Sequence, residues 1–103
     1  MRTIKIERER WRTPTSGEGQ RFQLINITGC GCIMGLIGEA FGVEVDDMLG
    51  DQVLDRGQLA VVGVDADTQD YAITINDHPY LNQDEREAKL KELFKDVFTL
   101  EFV

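Results

Sequence analysis

The chain has 103 residues, with 19 Asp and Glu against 11 Lys and Arg and a formal net charge of −8 at pH 7. That length holds one domain around one hydrophobic core, expected over residues 1–103, and excludes a catalytic domain joined to a regulatory one. No apolar run reaches the ~18–20 residues of a membrane span, and residues 1–7 lack the apolar stretch of a secretory signal, so a soluble, cytoplasmic protein without membrane contact is expected.

Thr3-Ile4-Lys5-Ile6-Glu7 alternates polar and apolar residues as a half-buried strand does, with Ile4 and Ile6 inward. Residues 13–20, rich in Thr, Ser, Gly and Pro, read as a loop, and Phe22-Gln23-Leu24-Ile25-Asn26-Ile27 as a second strand that completes a hairpin. Next comes an almost uncharged run over residues 29–42 with Gly at 29, 31, 35, 38 and 42. Cys32, Ile33, Leu36, Ile37, Ala40 and Phe41 recur in it at helical spacing. Thr28 is placed to cap the start of this helix and Gly42 to stop it. Glycines inside a helix weaken it by roughly 1 kcal/mol each relative to Ala, so close backbone packing must compensate.

Residues 43–54 are predicted to hold a short helix opened by Asp46-Asp47, with Asp46 as its candidate cap, and Asp55-Arg56-Gly57 to turn the chain. Leu59-Ala60-Val61-Val62-Gly63-Val64 and Tyr71-Ala72-Ile73-Thr74-Ile75 are apolar but short, and periodicity leaves both strand and helix open. Asn82 with Glu85 three residues later forms a capping-box start for a final helix whose apolar stripe is Leu90, Leu93, Phe94 and Val97. Thr99-Leu100-Glu101-Phe102-Val103 alternates again, and its expected partner is the N-terminal strand. The predicted fold is therefore α+β: a small, mostly antiparallel sheet, built from the N-terminal hairpin and the C-terminal strand, packed against a glycine-rich buried helix and a C-terminal amphipathic helix.

Charge is unevenly distributed. Residues 1–21 carry six Lys or Arg against three acids, whereas residues 22–82 carry ten acids against the single Arg56, a local net of −9. Such a field repels nucleic acid and attracts basic partners with a salt-sensitive on-rate. The candidate protein-binding residues are Glu44, Asp46, Asp47, Asp51, Asp55, Asp65, Asp67 and Asp70, set against the plain reading of these charges as a solvated, solubilising face.

Other motifs compete less well. Gly29, Gly31 and Gly35 follow a predicted strand and open a predicted helix, as in a dinucleotide-binding turn, but the third glycine comes one position late. A weaker anion site at that helix N-terminus stays open. Cys30 and Cys32, one residue apart, do not form a disulfide framework, and with His78 they supply three soft ligands where a structural zinc site needs four; free thiols and no metal or cofactor are expected. Asp65-x-Asp67-x-x-Asp70 lacks the glycine and terminal glutamate of a calcium loop and reads as a solvated turn. Arg8, Arg10, Trp11 and Arg12 mix cations with an aromatic, as nucleotide sites do, set against the plain reading of Trp11 as packed over the sheet edge. Asn76, Asp77, His78 and Tyr80 gather polar groups between ordered segments. No nucleophile, base and orienting group come together, so an enzyme is not expected.

Taken together, the strand leading to Trp11-Arg12, the cysteine-bearing helix ending Ala40-Phe41-Gly42-Val43, and the segments Asp46-Asp47-Met48-Leu49, Ile75-Asn76-Asp77 and Asp84-Glu85-Arg86-Glu87-Ala88-Lys89-Leu90, closed by Leu100-Glu101-Phe102-Val103, resemble a family of roughly hundred-residue uncharacterised proteins encoded by tailed phages and prophages. The resemblance spans nearly the full chain. It implies an accessory protein of the host cytoplasm that acts by binding: either an inhibitor or modulator docked on a basic surface of a host defence protein or a phage protein, or a sponge for a nucleotide-type ligand held near Gly29, Arg10, Arg12 and Tyr80. A structural phage protein without an inhibitory role and homo-oligomer formation stay open.

Overall fold

The computed structural model describes residues 1–14 and 22–103; most of the loop expected over residues 13–20 lies outside them. Strand β1 (Thr3–Ile6) is followed by helix α1 (Ile33–Ala40), a single 3-10 turn (Val45–Asp47), helices α2 (Arg56–Val62), α3 (Ala66–Asp77) and α4 (Gln83–Phe94), and strand β2 (Thr99–Phe102). The α+β class is as expected, and β1 does pair with β2. The pairing is parallel, Ile4 opposite Leu100 and Ile6 opposite Phe102, in a sheet of two strands. Alternation marks a strand but says nothing of its direction; here the helical middle of the chain is the crossover that a parallel pair requires.

The N-terminal hairpin is not formed. Leu24 and Ile25 are both fully buried although adjacent, which breaks the two-residue period of a half-exposed strand, and Ile27 is 93% exposed. Ile25 makes only an isolated bridge to Leu49, and Trp11 another to Gly31. The chain turns instead at Asn26, whose Oδ1 accepts from the N–H groups of Thr28 and Cys30 and from the Thr28 hydroxyl. Thr28 is thereby engaged in a turn and does not cap α1.

Helix α1 starts at the N-cap Cys32, which makes no capping bond through its side chain. A Cβ at Gly31 or Gly35 would fall 1.8–1.9 Å from the Leu24 carbonyl oxygen, so these glycines let the extended segment lie directly on the helix. The helix ends as predicted at Gly42, whose φ of +92° suits glycine. The Gly42 N–H donates to the Glu39 carbonyl and the Val43 N–H to that of Gly38, closing a Schellman motif. The Arg2 guanidinium adds a bond to the Ala40 carbonyl and lies 4.4 Å from the Phe41 ring.

The helix expected over residues 43–54 shrinks to one 3-10 turn, and Asp46 lies inside it rather than capping it. Asp55-Arg56-Gly57 is no turn: Asp55 is the N-cap of α2, in a reciprocal capping box with Gln58. Asp65 likewise caps α3 and Asp67 lies in its first turn, so the expected acidic turn is a helix start. Both ambiguous apolar segments are helical. Helix α4 opens with the Asn82–Glu85 capping box as expected. Its buried face is Arg86, Glu87, Leu90 and Phe94; Leu93 is only partly buried, and Val97 lies beyond the helix at 39% exposure while Phe98 takes the core position.

Candidate functional site

Of the Arg10, Trp11, Arg12 cluster, Trp11 turns inward, Arg10 is half-buried and Arg12 is exposed. Trp11 is 4% exposed, stacks on Phe102 with ring centroids 4.9 Å apart, and donates Nε1–H to the Asn76 Oδ1 at 2.6 Å. Arg10 forms two bonds to the Glu39 carboxylate, at 2.8 and 2.6 Å, and a third to the Gly29 carbonyl. The bond to Glu39 holds its guanidinium pKa above the ordinary value against the opposing effect of desolvation. Arg12 donates to the Glu9 carbonyl and contacts the Cys30 sulfur. Arg8 is bidentate on Glu87. Arg8 and Arg10 thus tie the chain that follows β1 to α4 and α1, and Arg10 engages Nε, Nη1 and Nη2 on the Gly29 carbonyl and Glu39.

The glycine-rich turn is closed by the chain itself. Gly31 and Gly35 face Leu24, the Cys32 N–H donates to the Gln23 carbonyl, and the Ile33 N–H at the helix start donates to Asn76 Oδ1 at 2.9 Å. The first turn of α1 is buried throughout. A phosphate has no approach there, because the backbone that a dinucleotide turn leaves open is covered. Cys30 and Cys32 are both free and buried, and burial pushes the Cys32 thiol up to about 11, with the neighbouring N–H groups of Gly35 and Met34 pulling the other way. Among the described residues no group of three or more His, Cys, Asp or Glu is arranged to hold a metal ion.

Asn76 and Asp77 close α3, and His78 and Tyr80 follow on the surface. Asn76 is fully buried: besides accepting from Trp11 and Ile33, its amide donates to the Arg12 carbonyl and to Asp77 Oδ1. His78 Nδ1 accepts from the Tyr80 N–H, and their rings meet edge to face. Arg86, 2% exposed, holds this corner through Ile75, His78 and Leu81 carbonyls and the Gln83 side chain. Burial lowers its guanidinium pKa, opposed by Asp77. Arg86 is absent from the sequence-based candidates, although extending the Leu90, Phe94 stripe back one turn lands on it. Asn76 and Arg86 are fixed scaffold, which leaves His78 and Tyr80 as the solvent-facing members.

The acidic residues remain outside. Glu44, Asp46, Asp47, Asp51, Asp55, Asp65, Asp67 and Asp70 are all exposed, distributed over the 3-10 turn, the following loop, and the starts of α2 and α3. The three ion pairs among the described residues, Arg8–Glu87, Arg10–Glu39 and Glu92–Lys95, use none of them. Asp55 and Asp65 accept helix N–H groups, and interactions with Thr68 hold the Asp65 carboxyl below its usual range. Val61 and Val53 stand among these carboxylates at 56% and 41% exposure. One cleft on this face, of about 510 Å³, is flanked by Glu44, Asp47, Asp55 and Val61. A second lies between α2 and the start of α3.

No helix among the described residues is long and apolar enough to cross a membrane. Comparison with protein-family models, with curated proteins and with solved structures found no match to this chain.

Proposed function

We propose that this protein is a non-catalytic binder that docks on a basic macromolecular surface through the acidic face from Glu44 to Asp70. In the phage setting that the sequence resemblance implies, it is an accessory protein that inhibits or modulates a host protein. One contrast carries the reading: the carboxylates of this face are exposed and take part in none of the ion pairs among the described residues, while Arg8 and Arg10 are already paired with Glu87 and Glu39. Unpaired surface charge of one sign steers a partner of opposite charge and sets the on-rate more than the final affinity. Two of the acids have a second duty as helix caps, so Asn, which caps equally well, is the substitution that removes charge and spares the helices.

The test compares the wild-type chain with a variant carrying Asn at positions 46, 47, 51 and 55, each immobilised and exposed to a bacterial lysate. The expected result is a set of basic proteins retained by the wild type, eluted by salt, and lost from the variant. Retention that is indifferent to both salt and the four substitutions sinks the proposal. A thermal shift with nucleotides that Arg12→Ala removes would favour the ligand sponge instead.

A further inference from the structure

The acidic face is not uniformly polar. Between residues 53–54, α2 and the start of α3 lies an open cleft of about 570 Å³ with a floor of Leu54, Leu59 and Val64, all buried. Its Leu54 edge is tied to α3. The Leu54 N–H donates to Gln69 Oε1 at 2.7 Å, and the Leu54 carbonyl accepts from Gln69 Nε2 at 3.2 Å. Gln69 is 3% exposed and uses both ends of its amide on this backbone, so among the described residues that line the cleft no buried polar side chain is left to read a polar ligand. Asp65 and Asp70 stand among its lining residues, as does Arg56, the single cation of residues 22–82. No ion pair or side-chain hydrogen bond engages the Asp70 carboxylate among the described residues.

We propose that this cleft seats an apolar anchor from a basic amphipathic segment of the partner, a side chain of Leu or Phe size flanked by Lys or Arg that meets Asp65 and Asp70. The proposal rests on the acidic-face reading and adds what that reading lacks, a defined place where docking gains apolar burial. An apolar floor without a convergent polar group selects an apolar group. Carboxylates beside it reject acidic occupants and attract cations, and Arg56 steers those cations toward Asp65 and Asp70. A helical segment with apolar residues at i, i+3 and i+4 and basic flanks satisfies both conditions.

Two synthetic peptides of equal length and equal Lys content serve as probes in fluorescence anisotropy, one with Leu at helical spacing and the other with Gln in place of Leu. The Leu peptide is expected to bind the wild type at least about tenfold more tightly, the effect of burying one Leu-sized side chain. Ala60→Trp, which fills the cleft from an exposed position on α2, should abolish that excess, and Val53→Ser, in a loop, should reduce it; circular dichroism checks that each is folded. Asp70→Lys should weaken both peptides and Arg56→Glu should tighten both, while Asp65 is left intact because it caps α3. Equal affinity for the two peptides, or an excess that survives both Ala60→Trp and Val53→Ser, overturns the cleft proposal. If both peptides still bind in a salt-sensitive manner, the acidic-face reading stands without it; if neither does, both readings fall. Self-association of the protein alone that Ala60→Trp removes would assign the cleft to a second copy of the chain and overturn the basic occupant.

Discussion

Asn76 joins three parts of the chain that are remote in sequence: its carbonyl oxygen takes the Trp11 indole N–H and the first N–H of α1, and its amide reaches the Arg12 carbonyl. It supplies from α3 the cap that the Cys32 side chain does not provide. Asn76→Ala would leave two buried donors without a partner at roughly 1–3 kcal/mol each, so a loss of about 2–5 kcal/mol in urea unfolding is expected. A loss below about 1 kcal/mol would mean that water replaces the amide. Cys32 makes a second residue-scale prediction. Burial raises its thiol pKa from 9.0 to about 11, so the protonated form is the one the fold accepts. The associated stability is complete below about pH 9 and is lost as the pH rises toward 11, a fall of roughly 2–3 kcal/mol over two pH units. Cys32→Ser has no thiol to titrate, and the difference between its alkaline stability profile and that of the wild type isolates this contribution. Parallel profiles would show that Cys32 titrates as in the unfolded chain.

At the level of elements, what could be read from the sequence tracks how each helix declares itself. Helix α4 has a reciprocal cap at Asn82 and Glu85 and a mostly apolar stripe, and its start falls where expected. Helix α3 buries Gln69, Ala72 and Asn76, two amides and a methyl group, while Tyr71 and Thr74 are exposed; its buried face carries almost no hydrophobic signal. Strand direction was not legible either, because it is decided by the connection and not by the alternation of residues 3–6 and 99–102. The same limit affected the candidate site: charge counting located the acidic face, but only side-chain geometry shows that Arg10, Trp11 and Asn76 are internal ties. The two aromatic and aliphatic positions at the end of α4 separate in a testable way. Sequence periodicity gives Leu93 and Phe94 equal weight, yet Phe94 is fully buried and stacks on Phe98 with ring centroids 4.8 Å apart, while Leu93 lies at the edge of the core. Phe94→Ala should cost about 3–5 kcal/mol by cavity formation, and Leu93→Ala roughly 1 kcal/mol. Equal shifts in the denaturation midpoint would place α4 in a different rotation about its axis.

For the whole molecule, the separation of a basic N-terminal segment tied by Arg8 and Arg10 from an acidic stretch, Glu44 to Asp70, that forms no ion pair among the described residues has a consequence that does not depend on finding a partner. Carboxylates at 44, 46, 47, 51, 55, 65, 67 and 70 share one stretch of chain with Arg56 as its only cation, and the fold sets Glu44, Asp47 and Asp55 around one cleft and Asp65 and Asp70 beside another. Their mutual repulsion opposes the compact state and acts across distances that salt screens, about 10 Å at 0.1 M and about 3 Å at 1 M. A fold held mainly by surface ion pairs weakens as salt rises, but here only three such pairs are present among the described residues, and Glu92–Lys95 is largely exposed. Exposed pairs of that kind contribute little, on the order of 0–1 kcal/mol. The repulsive contribution should therefore dominate, and the melting temperature should rise as sodium chloride is increased from low ionic strength to about 0.15 M. The variant with Asn at 46, 47, 51 and 55 should start from a higher melting temperature in low salt and show a flatter response, since Asn at 55 preserves the α2 cap while the charge is gone. A melting temperature that falls with salt, or a variant whose salt response matches the wild type, would show that the acidic face is too dispersed to act as one field, and would remove the electrostatic basis for a partner drawn to it.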